Sequence, residues 1–147
     1  MDVSQMVTLV ERADALHRKL VEIRGEFPVY PFDASVGNIY DACRKEAGDW
    51  GERPGTWERK KFIFVALSLM SPLTLAGARL RRGLRGKMAR LMGCEPTSVS
   101  HDIRDLLFLY RNYPSFRRDV ERYREASLRA LKGVPVTTLQ TKKRIFS

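Results

Sequence analysis

Residues 88–107, MARLMGCEPTSVSHDIRDLL, constrain this chain more than any other segment. Two short helices that cross at a tight turn pack well under three conditions. A small residue must lie near their closest approach, a glycine must take the turn, and a branched apolar side chain must return from the second helix to fill the angle. Ala89, Gly93 four positions later and Val99 six positions beyond that supply all three. Met88 and Met92 are placed to point inward before the turn, Cys94 is a small apolar plug after it, and Ile103 follows Val99 by four. Pro96 suits the first turn of the second helix, where its missing N–H costs no helical bond.

The chain around this segment is basic. Its 147 residues include 27 Lys and Arg against 17 Asp and Glu, a formal net charge of +10. The excess is local: residues 1–56 carry seven cations and ten anions, whereas residues 57–147 carry twenty cations and seven anions. Between Glu58 and Glu95 there is no acidic residue. A solvated charge run normally mixes signs, so a run of one sign points to a polyanion, most commonly nucleic acid. Lys60, Lys61, Arg79, Arg81, Arg82, Arg85, Lys87 and Arg90 are the expected phosphate-binding residues.

The string G-C-E-P-T-S-V-S-H-D-I-R-D-L resembles the turn and recognition helix of bacterial and phage helix-turn-helix DNA-binding proteins. In those proteins a Gly, a Pro or Ser, a Thr or Ser, a Val-Ser pair and a following Ile recur in this register. The resemblance covers residues 88–107 and no more of the chain. On the second helix, helical spacing puts Val99, Ile103, Leu106 and Tyr110 on the core-facing side and leaves Thr97, Ser98, Ser100, His101 and Arg104 outward. The resemblance implies that this outward set reads DNA bases, with Arg104 placed to bind a guanine bidentately. Glu95 departs from the pattern, since it stands where a Ser or Thr cap is more usual and brings an acid near the expected phosphates. The competing reading of the outward set is an ordinary solvated helix face.

The remaining segments read as further helices. Met6, Leu9, Ala13, Leu16, Leu20 and Ile23 recur at spacings of three and four, an amphipathic helix that Gly25 ends. Val3, Val7, Val10 and Val21 widen its stripe, which suits packing on a globular core at least as well as pairing in a homodimer. Residues 25–35 are an extended connector, and a second helix is expected over 35–47. The sequence DWGERPGT then breaks the chain. Thr56 is placed to cap a third helix whose FIFVALSLM run is apolar on nearly every side and belongs in the core. Ser71-Pro72 restarts the chain, and Leu80, Leu84, Met88 and Leu91 share one face of a helix interrupted by Gly83 and Gly86, for which an irregular turn at Arg82–Gly86 is an equal alternative. LLFLY, apolar on all faces, continues the recognition helix until Tyr113-Pro114, and enclosure by the N-terminal helices is favoured for it over a dimer contact. Phe116, Val120, Tyr123, Ser127 and Leu131 form the inward face of a last helix closed by Gly133. The tail ends in Lys142, Lys143 and Arg144 before Ile145 and Phe146.

The expected fold class is therefore all-α: a helical bundle containing a helix-turn-helix, with an N-terminal amphipathic helix. Residues 1–50 would form a scaffold or dimerisation segment, 56–133 the DNA-binding domain and 134–147 a basic tail. No apolar run approaches the roughly twenty residues of a membrane span, and the N-terminus has no basic-then-apolar pattern of a secretory signal. Cys43 and Cys94 lie far apart with no CxxC, so no metal site or disulfide framework is read, and reduced thiols in a cytoplasm are expected. No glycine-rich phosphate loop or paired-carboxylate arrangement suggests an enzyme or a small-molecule cofactor. Asp102, as the immediate neighbour of His101 on a helix, should point elsewhere and not orient it. The expected function is sequence-specific double-stranded DNA binding in transcriptional or replication control of a bacterium or phage. The alternatives are a phage assembly or packaging oligomer built on the same motif, or an RNA-binding protein.

Overall fold

The structure is a computed structural model that describes residues 1–48 and 50–138. The described chain is all-α, with seven helices and two strands of two residues each, β1 (Pro28–Val29) and β2 (Thr137–Thr138). It falls into two compact units, one containing residues 1–28 and the C-terminal strand, the other residues 29–136. The basic tail expected around Lys142, Lys143 and Arg144 lies outside the described residues.

In the first unit, α1 (Val3–Arg24) opens with a capping box: Asp2 Oδ1 accepts from the Gln5 N–H at 2.8 Å and Gln5 Oε1 accepts from the Asp2 N–H at 3.0 Å. Two otherwise orphaned helix donors are thereby satisfied. Gly25 ends the helix. No residue of α1 is buried.

In the second unit the core is built around α3 (Thr56–Met70). Its apolar run has no polar face to solvate, and Phe62, Ile63, Val65, Ala66 and Leu67 are all fully buried. Burial on all sides requires neighbours on all sides. They come from α2 (Phe32–Ala47), which presents Val36, Ile39 and Cys43, and from α7 (Pro114–Ala130), which presents Phe116, Val120 and Tyr123. The inward face read for the last helix is thus the observed one, and Leu131 is buried just past its end. α2 begins three residues before the expected Ser35, after Pro31 in extended backbone. Thr56 is the first residue of α3 and not its cap; Gly55 takes the cap position without a side-chain hydrogen bond.

Between Ser71 and Gly83 the chain forms no long helix. The restart at Ser71-Pro72 is a short 3-10 turn, Pro72–Ala76, and an irregular stretch follows up to Gly83. Gly83 has φ +85°, a left-handed conformation that costs an L side chain roughly 1–2 kcal/mol, so it starts a new helix instead of interrupting an old one. That helix is α4 (Leu84–Met92). It is followed by α5 (Pro96–Ile103) and α6 (Leu106–Asn112). The expected continuous helix through LLFLY is therefore broken at Arg104 and Asp105. Leu106 and Leu109 turn inward, but Phe108 is 58% exposed, so the run is not enclosed on all faces.

Candidate nucleic-acid interface

The angle between α4 and α5 is set by the residues the sequence nominated. Met88 and Met92 are buried on α4, and Ala89 at 2% exposure leaves room for α5 to approach. Gly93 leaves the helix at φ +67°, ψ +36°, and the Cys94 N–H closes the turn on the Ala89 carbonyl at 3.0 Å. Glu95 is extended, its side chain makes no capping bond, and Pro96 begins α5. Val99 is fully buried. Arg53, from the break before α3, donates from Nη1 to the Gly93 carbonyl at 3.0 Å and so braces the turn from outside.

α5 presents its two sides differently. On the core side, Asp102 is 1% exposed and is held by Arg59 of α3, whose Nε donates to Oδ2 and whose Nη2 donates to Oδ1 at 3.4 Å. This hydrogen bond, and the carboxylate's charge, raise the Arg59 pKa above its ordinary value. Asp102 is thus buried against Arg59 while its neighbour His101 is exposed. On the other side, Thr97, His101 and Arg104 are exposed while Ser98 and Ser100 are half-buried. All five line one open cleft of about 500 Å³, together with Arg59 and Asp102. The cleft holds three hydroxyls, an imidazole and two guanidiniums, one of them neutralised by its carboxylate. Such a surface offers mostly hydrogen-bond donors, with a net positive charge from Arg104.

The expected phosphate-binding residues separate into groups. Arg79, Arg82, Arg85 and Arg90 are exposed. Arg81 is half-buried and donates from Nη1 to the Tyr30 carbonyl at 2.9 Å, and Lys87 is half-buried. Only Arg85, Lys87 and Arg90 lie on α4; Arg79, Arg81 and Arg82 lie in the irregular stretch before it. Lys61 is a correction. At 3% exposure, its ammonium sits between Glu58 Oε1 and Asp119 Oδ2, both at 2.7 Å, so it neutralises carboxylates of the bundle and not phosphates. Lys60 is a second correction, because its Nζ is 2.8 Å from Asp105 Oδ2 with little of the side chain exposed. Both expectations assumed that an acid-free stretch of sequence stays acid-free in space. Asp105 arrives from the break before α6 and Asp119 from α7, while Glu58 stands on α3 itself.

Arg59 and Arg53 are the residues that sequence reasoning missed. A signal for Arg59 existed: Asp102 follows Val99 by three, on the buried side of α5, and a buried carboxylate requires a cation or several donors. No comparable signal marks Arg53. Among the described residues no group of His, Cys, Asp and Glu is arranged to hold a metal ion, and no helix is long and apolar enough to cross a membrane. Comparison of the chain with protein-family models, with curated proteins and with solved structures finds no match.

Proposed function

We propose that this chain binds double-stranded DNA sequence-specifically, as a helix-turn-helix protein of transcriptional or replication control in a bacterium or phage. The observation that carries the reading is the exposed side of α5. Thr97, Ser98, Ser100, His101 and Arg104 line one cleft together with the Arg59–Asp102 pair, on a helix whose buried side is fixed by Val99. A rigidly seated helix of about 12 Å can enter a major groove about 12 Å wide. The exposed Arg82, Arg85 and Arg90 on the preceding turn and helix then supply sequence-independent phosphate contacts, while the α5 side chains read base edges. Glu95 sits at the start of α5 and opposes phosphate locally, so the affinity rests on the arginines of the preceding helix.

Selection of binding sites from a random duplex library tests this reading directly. A consensus that disappears with Arg104→Ala is expected. Recovery of no consensus, with equal affinity for all duplexes, overturns the sequence-specific function.

A further inference from the structure

Trp57, Phe108 and Tyr113 form an exposed aromatic group on the second unit, at 39%, 58% and 46% exposure. The Tyr113 ring meets the other two edge-on, with centroids 5.8 Å from Trp57 and 6.4 Å from Phe108. Buried Phe116 supports Trp57 from beneath at 5.3 Å. An edge-on contact engages one face of one ring, so ring faces remain open to a planar ligand. Arg111 is exposed one turn after Phe108 on α6, and among the described residues no carboxylate pairs with it or with Arg104.

This group adjoins the α5 cleft. Trp57 and Lys60 lie one turn apart on α3, and Lys60 Nζ is 2.8 Å from Asp105 Oδ2. Asp105 in turn stands between Arg104, which lines the cleft, and Phe108. A second copy of the chain is a poor occupant. Three rings at these exposures offer roughly 300 Å², well short of the about 800 Å² per partner of a standard interface. Residues 29–136 also carry twenty cations against twelve anions, so two such surfaces repel. Open rings beside unpaired arginines suit a planar, polyanionic ligand instead, and unpaired nucleotides have that chemistry. From this we infer that Trp57, Phe108 and Tyr113 stack unpaired bases, so that the target is a duplex with a single-stranded flank. The inference rests on DNA reading by α5 and narrows the target of that site.

Binding of the full chain to one labelled duplex, followed by fluorescence anisotropy, tests it with the duplex in three forms: blunt, with a thymidine overhang, and with an abasic overhang of the same length. The thymidine overhang should bind about tenfold tighter than the abasic one, which keeps the phosphates but has no bases to stack. Phe108→Ala, at an exposed position, should abolish that difference and leave the affinity for the blunt duplex unchanged, whereas Phe108→Tyr should keep it. Equal binding of the two overhangs, or a difference indifferent to Phe108→Ala, overturns the inference and leaves the duplex reading standing. Failure of all three forms to bind overturns both. Equally tight, Phe108-dependent binding of an acidic peptide containing phenylalanine would assign the patch to a protein partner, and a two-chain mass in sedimentation that Phe108→Ala halves would assign it to a second copy. Either result overturns the inference.

Discussion

The Arg59 guanidinium on α3 and the Asp102 carboxylate on α5 join through two N–H to oxygen bonds, across 43 positions of sequence. Asp102 is buried, whereas the Arg59 side chain keeps 20% of its surface exposed. The two partners therefore respond differently to loss of the other. Arg59→Ala leaves a carboxylate buried without a cation and should destabilise the fold by about 2–4 kcal/mol. Asp102→Asn leaves an arginine that reaches water and an amide that still accepts one bond, so about 1–2 kcal/mol is expected. Urea melts of the two variants check the order, and the reverse order would mean that the pair does not seat α5.

The turn at Gly93 and the glycine within α4 should respond in opposite senses. An added Cβ at Gly93 must adopt φ +67° and would lie 3.1 Å from Arg53 Cδ, so Gly93→Ala should cost about 1–2 kcal/mol and displace the Arg53 brace. Gly86 is helical and its Cβ would meet only Arg90 Nη1 at 4.0 Å. Gly86→Ala should therefore stabilise by about 0.5–1 kcal/mol. Denaturant midpoints measured side by side decide both signs.

Lys61 and Arg85 distinguish a cation that holds the bundle from one proposed to contact phosphate. Lys61 bridges Glu58 and Asp119 within the bundle, with Tyr123 Oη also donating to Glu58 at 2.9 Å. Lys61→Met should lower stability by about 1–3 kcal/mol and leave the salt dependence of DNA binding unchanged. Arg85→Ala should leave stability within about 0.5 kcal/mol and reduce the slope of log K against log salt by about 1. Arg104→Ala should weaken the specific duplex by about 1–3 kcal/mol and random duplexes far less. Titrations at several salt concentrations report all three.

The turn and its packing residues were legible in the sequence because their requirements are local. Ala89, Gly93, Pro96 and Val99 each satisfy a geometric condition within ten residues of chain, and each lies where that condition places it. The buried run of α3 was legible for a similar reason, since an all-apolar helix has only one stable location. What the sequence concealed are pairings across long separations. Lys60 and Lys61 read as free cations because Asp105 and Asp119 lie more than forty positions away. The break at Arg104 and Asp105 was hidden because LLFLY keeps a helical composition on both sides of it, and Phe108 is exposed as a result. In α1 the periodicity was plain, and the structure forms the helix over Val3–Arg24.

The two cysteines should differ in reactivity and in their effect on alkaline stability. Burial pushes the Cys43 thiol up to about 12, against a weaker opposing hydrogen bond from Ser127 Oγ at 3.8 Å. Cys94 is also raised, by partial burial, but keeps access to solvent. Iodoacetamide should therefore label Cys94 in the folded protein and Cys43 only after unfolding, because the thiolate is the reacting species. The folded pKa of Cys43 lies above its ordinary value of 9, so the unfolded chain releases this proton first. Its contribution to stability is complete below pH 9 and declines as the pH rises from 9 towards 12. Tyr40 and Tyr123 are raised by burial and add a decline of the same sign above pH 10. Urea midpoints should fall between pH 8.5 and pH 10.5, and Cys43→Ala should fall less steeply over that interval. An identical slope in the variant would place the alkaline sensitivity elsewhere in the bundle.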